Sequence, residues 1–178
     1  MKIRHVPCAV SGCSAAIEEA VKKGAAFWQD NASLFGEIQT TFGEPADVEI
    51  TYVAALAGNV IGLCQTSVAQ SSSGRMFLTK PLSLKIATTS GGQPIPLTAL
   101  EFVAAHEMGH CLGLWNHSPN EGGLMYAFLT NRTSYTSCDL NSLRYLSAQD
   151  TDLGAVSSGQ LGQQYQLTEE IATSPPLQ

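Results

Sequence analysis

The sequence predicts an α+β fold with about four to five strands, two long helices and a short C-terminal helix. Two kinds of segment carry this prediction. Short runs rich in Val, Ile and Thr are typical of strands, whereas apolar residues spaced three or four apart over a longer stretch are typical of helices. Of the 178 residues, 44% are hydrophobic and only 13% are charged, which favours one folded domain with its own core.

The predicted strands lie mainly in the first half of the chain. They cover residues 2–6, 36–42, 47–55, 60–67 and 76–88. The last segment is interrupted at Pro81, and beyond it Leu82, Leu84 and Ile86 alternate with Ser83, Lys85 and Ala87. This alternation is expected of a half-exposed strand.

The predicted helices each start at a capping signal. Ser14 can cap a first helix over residues 14–30, and Thr98 with Glu101 forms a capping box that begins the second. A further signal at Ser147 opens the short C-terminal helix.

The composition changes near the C-terminus, where Gln, Ser and Pro become frequent beyond Gly159. We therefore predict a single domain over residues 1–159 and a loosely held C-terminal tail over residues 160–178.

The charge balance argues against nucleic acid and membrane partners. The net charge is −6, and nine Lys and Arg residues leave no basic stripe. No apolar run approaches the roughly twenty residues of a membrane span. Residues 1–5 lead into a mixed rather than an apolar segment, so we expect that an exported protein would have this chain as its mature part. We expect a monomer.

The cysteine count is odd, so at most two disulfides form. Five cysteines allow fifteen such arrangements, which sequence does not rank. One arrangement pairs Cys8 with Cys13 and Cys64 with Cys138, and leaves Cys111 as a small buried residue.

Three of the four histidines lie within twelve residues of one another. His106 and His110 are four residues apart, so on a helix their rings point from the same face and reach one zinc ion. Glu107 stands beside them, where it can serve a water on that ion. Gly113 can end the helix, and a short turn after it brings His117 back as a third imidazole.

This segment resembles the metzincin zinc endopeptidases, most closely the matrixin branch. The family pattern is H-E-x-x-H-x-x-G-x-x-H followed by a methionine turn, and it is matched at His106, Glu107, His110, Gly113 and Met125. The resemblance is sharp over about residues 98–126 and diffuse elsewhere.

One position departs from the family pattern. The family spacing places the third histidine at Asn116, whereas here the imidazole comes one residue later, at His117. An amide oxygen is a poor zinc ligand beside imidazole, and a surface turn readily absorbs one residue, so we assign the third ligand to His117. An alternative is a two-histidine site completed by an acid such as Glu121.

The resemblance implies a zincin-like catalytic domain with a twisted mixed sheet and one catalytic zinc held by His106, His110 and His117. It implies hydrolysis of protein or peptide substrates, with Glu107 as general base and Met125 as a hydrophobic floor beneath the metal. The substrate is expected to add as a strand to an edge near Leu82 to Ile86. The family is secreted, and calcium is a further candidate ligand.

Two other hypotheses remain open. In the first, Cys8 sits on the zinc as a latency switch, as the propeptide cysteine of animal matrixins does. In the second, the chain is a zinc-stabilised protein-binding module of the same fold with weak or no catalysis. The presence of Glu107 argues against this second hypothesis, because a purely structural zinc site needs no base.

Overall fold

The computed structural model describes residues 2–32, 46–71, 76–130, 135–147 and 161–173. Within these ranges the helices are α1 (Ala15–Ala32), α2 (Leu97–Cys111) and α3 (Ser137–Ser147). The strands are β1 (Ile3–His5), β2 (Val48–Val53), β3 (Val60–Ser71), β4 (Met76–Ala87), β5 (Thr89–Ser90), β6 (Gln93–Pro94), β7 (Phe128–Leu129) and β8 (Leu161–Thr173).

The main sheet is mixed and has six strands among the described residues, in the order β1-β2-β4-β3-β8-β7. Strands β1, β2 and β4 run parallel, β3 is antiparallel to both β4 and β8, and β7 is parallel to β8. The predicted mixture of helices and strands is therefore confirmed, with more strands in the sheet than the four to five expected.

The extra strands come from the C-terminal half. We predicted residues 160–178 as a loosely held tail, but Leu161–Thr173 form β8 and pair with β3 along its length. Pairing between segments about a hundred residues apart leaves no trace in local composition, which explains the error. The predicted strand over residues 36–42 and the predicted C-terminal helix that follows Ser147 lie outside the described residues, and α3, which ends at Ser147, was not predicted.

The expectation that Leu82 to Ile86 form an edge strand is wrong. Residues 82–86 lie inside the sheet, with β2 on one side and β3 on the other. Pro81 is accommodated because the pairing of β3 with β4 shifts register between Gln65 and Ser67, opposite this part of β4. Leu84 and Ile86 are fully buried.

Helix α1 packs on α2, and α2 packs on β3 and β4. Ser14 caps α1 as predicted, with its Oγ accepting from the Ile17 N–H at 3.3 Å. The two helices approach most closely at Gly24, where an added Cβ would lie 2.0 Å from the carbonyl oxygen of Glu101. Trp28, fully buried, donates its Nε1–H to the Ala105 carbonyl at 2.8 Å. These contacts fix α2 against α1.

The predicted capping box of α2 is wrong. The N-cap is Pro96, and no side chain caps the helix. Glu101 instead faces Lys23 of α1, with Oε2 and Nζ 2.9 Å apart. Burial rather than capping holds this helix, because every residue from Val103 to Cys111 is buried.

Two disulfides join described cysteines. Cys8 pairs with Cys13 as in the arrangement considered above, but Cys64 pairs with Cys111, and Cys138 is an exposed free thiol. Cys111 is buried, as expected, but it is bonded to Cys64 of β3, whereas the sequence arrangement left it unpaired. The second bridge therefore ties β3 to the end of α2.

Candidate metal centre

Helix α2 brings the first two histidines together. His106 and His110 stand one turn apart and are fully buried, with their Nε2 atoms 2.9 Å from each other. The i, i+4 spacing therefore has the consequence that the sequence predicted: both rings point to one spot.

The turn after α2 brings in the third histidine. Gly113 has φ of 111°, and the N–H groups of Gly113 and Leu114 donate to the carbonyls of His110 and Gly109, at 2.9 and 3.0 Å. This pair of bonds is a Schellman motif, which reverses the chain. Six residues on from Cys111, the His117 Nε2 lies 3.3 Å from the His110 Nε2.

The structure thus places His117, and not Asn116, beside the other two rings. Asn116 and Glu121 are exposed, whereas His117 is half-buried. The ligand atoms of His106, His110 and His117 all lie within 4.8 Å of one another, and this is the one such group found among the described residues.

The hydrogen bonds of two rings fix which nitrogen is available to a metal. The His106 Nδ1–H donates to the Leu124 carbonyl at 2.6 Å, and the His110 Nδ1–H donates to the Leu114 carbonyl. A carbonyl only accepts, so the proton of each neutral ring is on Nδ1 and Nε2 presents a lone pair. The Nε2 lone pairs therefore point toward one another with no proton between them, an arrangement that a bound cation would stabilise. These residues fit zinc.

The electrostatics favour the neutral rings that zinc requires. Burial lowers the pKa of His106 well below its ordinary value, and the neighbouring His110 adds to the effect. Burial also lowers the pKa of His110 to about 4. At neutral pH both imidazoles are therefore uncharged and able to bind a metal.

The Glu107 side chain projects from α2 and packs against β3. Its side chain is fully buried, and β3 crosses it at Gly62. A Cβ added at Gly62 would lie 2.7 Å from the Glu107 Cγ, 2.9 Å from its Oε1 and 2.5 Å from the Val103 Cγ1. Only glycine fits at this position, so the strand lies directly over the acid.

Met125 packs beneath the histidine helix. It is 4% exposed, and a Cβ added at Gly109 would lie 2.7 Å from its Sδ. The Met125 carbonyl accepts from the Ser118 N–H at 2.6 Å, which ties the loop carrying His117 to the methionine turn.

Asp139 supports this turn, and the sequence reasoning missed it. It is 6% exposed, and its carboxylate accepts from the backbone N–H groups of Leu124 and Met125, both at 3.4 Å. It also forms a capping box at the start of α3: it accepts from the Thr136 N–H at 2.9 Å, while its own N–H donates to the Thr136 Oγ1 at 3.3 Å. The Thr136-x-x-Asp139 spacing was the available signal.

Comparison with curated protein sequences gives no match. Among the described residues, no helix is long and apolar enough to cross a membrane. The family model for matrixins matches residues 86–146, about a third of the chain, from the end of β4 through most of α3. This span includes the three clustered histidines, Glu107, Met125 and Asp139, and the match supports a matrixin-like metallopeptidase domain.

Proposed function

We propose that the chain is a zinc-dependent endopeptidase that hydrolyses peptide bonds of proteins, with Glu107 as general base. The observation that carries the proposal is the convergence of three imidazoles beside a buried glutamate. A site that serves only the fold would gain nothing from a buried acid next to its ligands, since burying a carboxylate costs free energy.

His106, His110 and His117 are the residues that would hold the ion. When bound, zinc supplies Lewis acidity, which acidifies water and polarises a peptide carbonyl. The protein contributes the positioning: Leu124 and Leu114 orient two of the rings through their carbonyls, and the Schellman turn delivers the third.

The Glu107 carboxylate moves the proton. It takes a proton from the attacking water as the water oxygen bonds to the peptide carbon, and it passes that proton to the amine nitrogen as the C–N bond breaks. Its position between α2 and Gly62 of β3 restricts the side chain, so its two oxygens stay near one place through both transfers.

The test replaces Glu107 with glutamine and compares it with a matched change on the same helix. Glu101→Gln makes the same chemical change where the side chain meets Lys23 on the α1 side of the helix. We expect Glu107→Gln to bind one zinc per chain yet to digest casein about 10²–10⁴-fold more slowly, the usual contribution of a general base. Glu101→Gln should digest casein at the parental rate.

Two results would contradict the proposal. Near-parental cleavage by Glu107→Gln would mean that another group is the base. A parent chain that holds zinc but cleaves neither casein nor gelatin, with or without a chelator, would favour the zinc-stabilised binding module.

Secretion is part of the same proposal. Two disulfides among the described cysteines are typical of proteins in oxidising compartments, and animal matrixins share that environment. Calcium binding, monomeric state and the absence of nucleic acid and membrane partners stay predictions. The substrate strand is best assigned to the side of β3 that faces away from β4, the side that β8 pairs with, because β3, and not residues 82–86, crosses Glu107.

A further inference from the structure

The C-terminal strand β8 occupies a slot between β3 and β7. It runs antiparallel to β3, with Ser71 opposite Leu161 at one end and Val60 opposite Ala172 at the other. Its last residues run parallel to β7, with Phe128 opposite Ala172 and Leu129 opposite Thr173.

This slot passes the candidate metal centre. Gly62, the residue of β3 that lies over Glu107, is the register partner of Ile171. On the other side, β7 begins three residues after Met125, the residue that packs beneath the histidine helix. Strand β8 also contacts α2. The end of β8 therefore runs between the strand that covers the acid and the segment that follows the methionine turn.

We propose that β8 is an intramolecular inhibitory segment that fills the position of the substrate strand. This inference rests on the proposed endopeptidase function. A peptide bound next to Glu107 would use the backbone N–H and C=O groups of β3 and β7, which are the groups that β8 pairs with. The same groups cannot pair with two strands at once, so substrate and β8 exclude each other.

The covalent link makes this competition effective. Residues 148–160 connect α3 to β8, so the segment is presented to its slot at an effective concentration on the order of millimolar. A protein substrate at micromolar concentration competes poorly against it. Release of β8 should therefore lower the KM for external substrates while kcat is unchanged.

The first experiment breaks the pairing of β8 in the full chain. In an antiparallel pair, N–H groups on successive residues of a strand point alternately toward and away from the partner strand. Proline has no N–H, so the double variant Leu167→Pro with Thr168→Pro removes one hydrogen-bond donor to β3, whichever of the two residues points toward it. The matched control, Leu167→Val with Thr168→Val, changes the same side chains but keeps both donors and strand propensity.

We expect the proline variant to digest labelled casein with kcat/KM raised at least tenfold through KM, and the valine variant to behave as the parent. Equal kcat/KM for a folded proline variant and the parent would overturn the inference.

Peptide binding separates this inference from the proposed activity. A fluorescein-labelled peptide with the sequence of residues 161–173 is titrated with Glu107→Gln protein, with and without the two prolines, and anisotropy reports binding without hydrolysis. We expect binding at least tenfold tighter to the proline variant. Equal binding overturns the inference. Tighter binding by a proline variant whose Glu107-containing form does not digest casein would support the occupied slot and contradict the proposed endopeptidase function.

A second variant covers the case in which the prolines prevent folding. A recognition sequence for a site-specific protease, inserted between Ser157 and Ser158, leaves β8 unchanged. After cutting, the segment is held without a covalent link, so specific activity should rise on dilution and fall when the labelled peptide is added back. Activity that is the same before and after cutting at every dilution would overturn the inference.

Discussion

Asp139→Ala should weaken both the fold and zinc binding. The carboxylate is buried and accepts from the N–H groups of Leu124 and Met125, and the Leu124 carbonyl in turn holds the His106 ring. Alanine leaves two buried N–H groups without their acceptor and removes the capping box. A lost cap costs about 1 kcal/mol, and each orphaned N–H costs about 1 kcal/mol, the low end of the usual range, because these two bonds are long.

The expected loss in the free energy of unfolding is therefore about 3 kcal/mol. Zinc affinity should fall about 10–100-fold, as is usual when a group that orients a metal ligand is disturbed. Urea denaturation of chelated protein measures the first quantity, and titration against a competing zinc indicator measures the second.

Thr136→Ala is the matched control, because it removes the cap and leaves the carboxylate against the methionine turn. It should cost about 1 kcal/mol and keep the parental zinc affinity. If Asp139→Ala cost no more than Thr136→Ala, or bound zinc as tightly as the parent, the proposed link from α3 through the turn to His106 would be refuted.

Three further changes test other parts of the fold. Gly24→Ala places a Cβ 2.0 Å from the Glu101 carbonyl oxygen, so urea denaturation should show a loss of about 1–3 kcal/mol although alanine favours helix; a gain would contradict the close helix contact. Replacing Cys64 and Cys111 by serine removes a disulfide that links residues 47 positions apart, and thermal unfolding should show a loss of about 2–5 kcal/mol in stability. An unchanged Tm would mean that the bridge does not form. Burial lowers the pKa of His5, so its stabilising contribution is complete above pH about 6.5 and is lost as pH falls from there toward the folded-state pKa. With zinc removed by a chelator, the His5→Gln variant should therefore lose less free energy of unfolding than the parent between pH 7.5 and 5.5. Equal losses for the two proteins in urea denaturation would contradict this.

Sequence reasoning anticipated what depends on short-range geometry. The spacing of His106 and His110 on one helix face and the short turn to His117 are local features, so the ring cluster was foreseeable. The same holds for the Ser14 cap of α1.

Sequence reasoning failed where distant segments meet. An edge was expected near Leu82 to Ile86, but these residues pair with β2 on one side and β3 on the other. The pairing of Cys64 with Cys111 depends on β3 crossing the end of α2, and β8 owes its place to pairing with β3 rather than to its composition. In each instance the deciding contact joins residues that are far apart in the chain.

The most direct test of the metal centre is X-ray absorption spectroscopy at the zinc edge on protein loaded with one equivalent of zinc. We predict three imidazole nitrogens at about 2.0–2.1 Å together with an oxygen ligand. Fewer than three imidazoles in the parent, or a sulfur ligand in place of one of them, would contradict the assignment of His106, His110 and His117 as the ligand set.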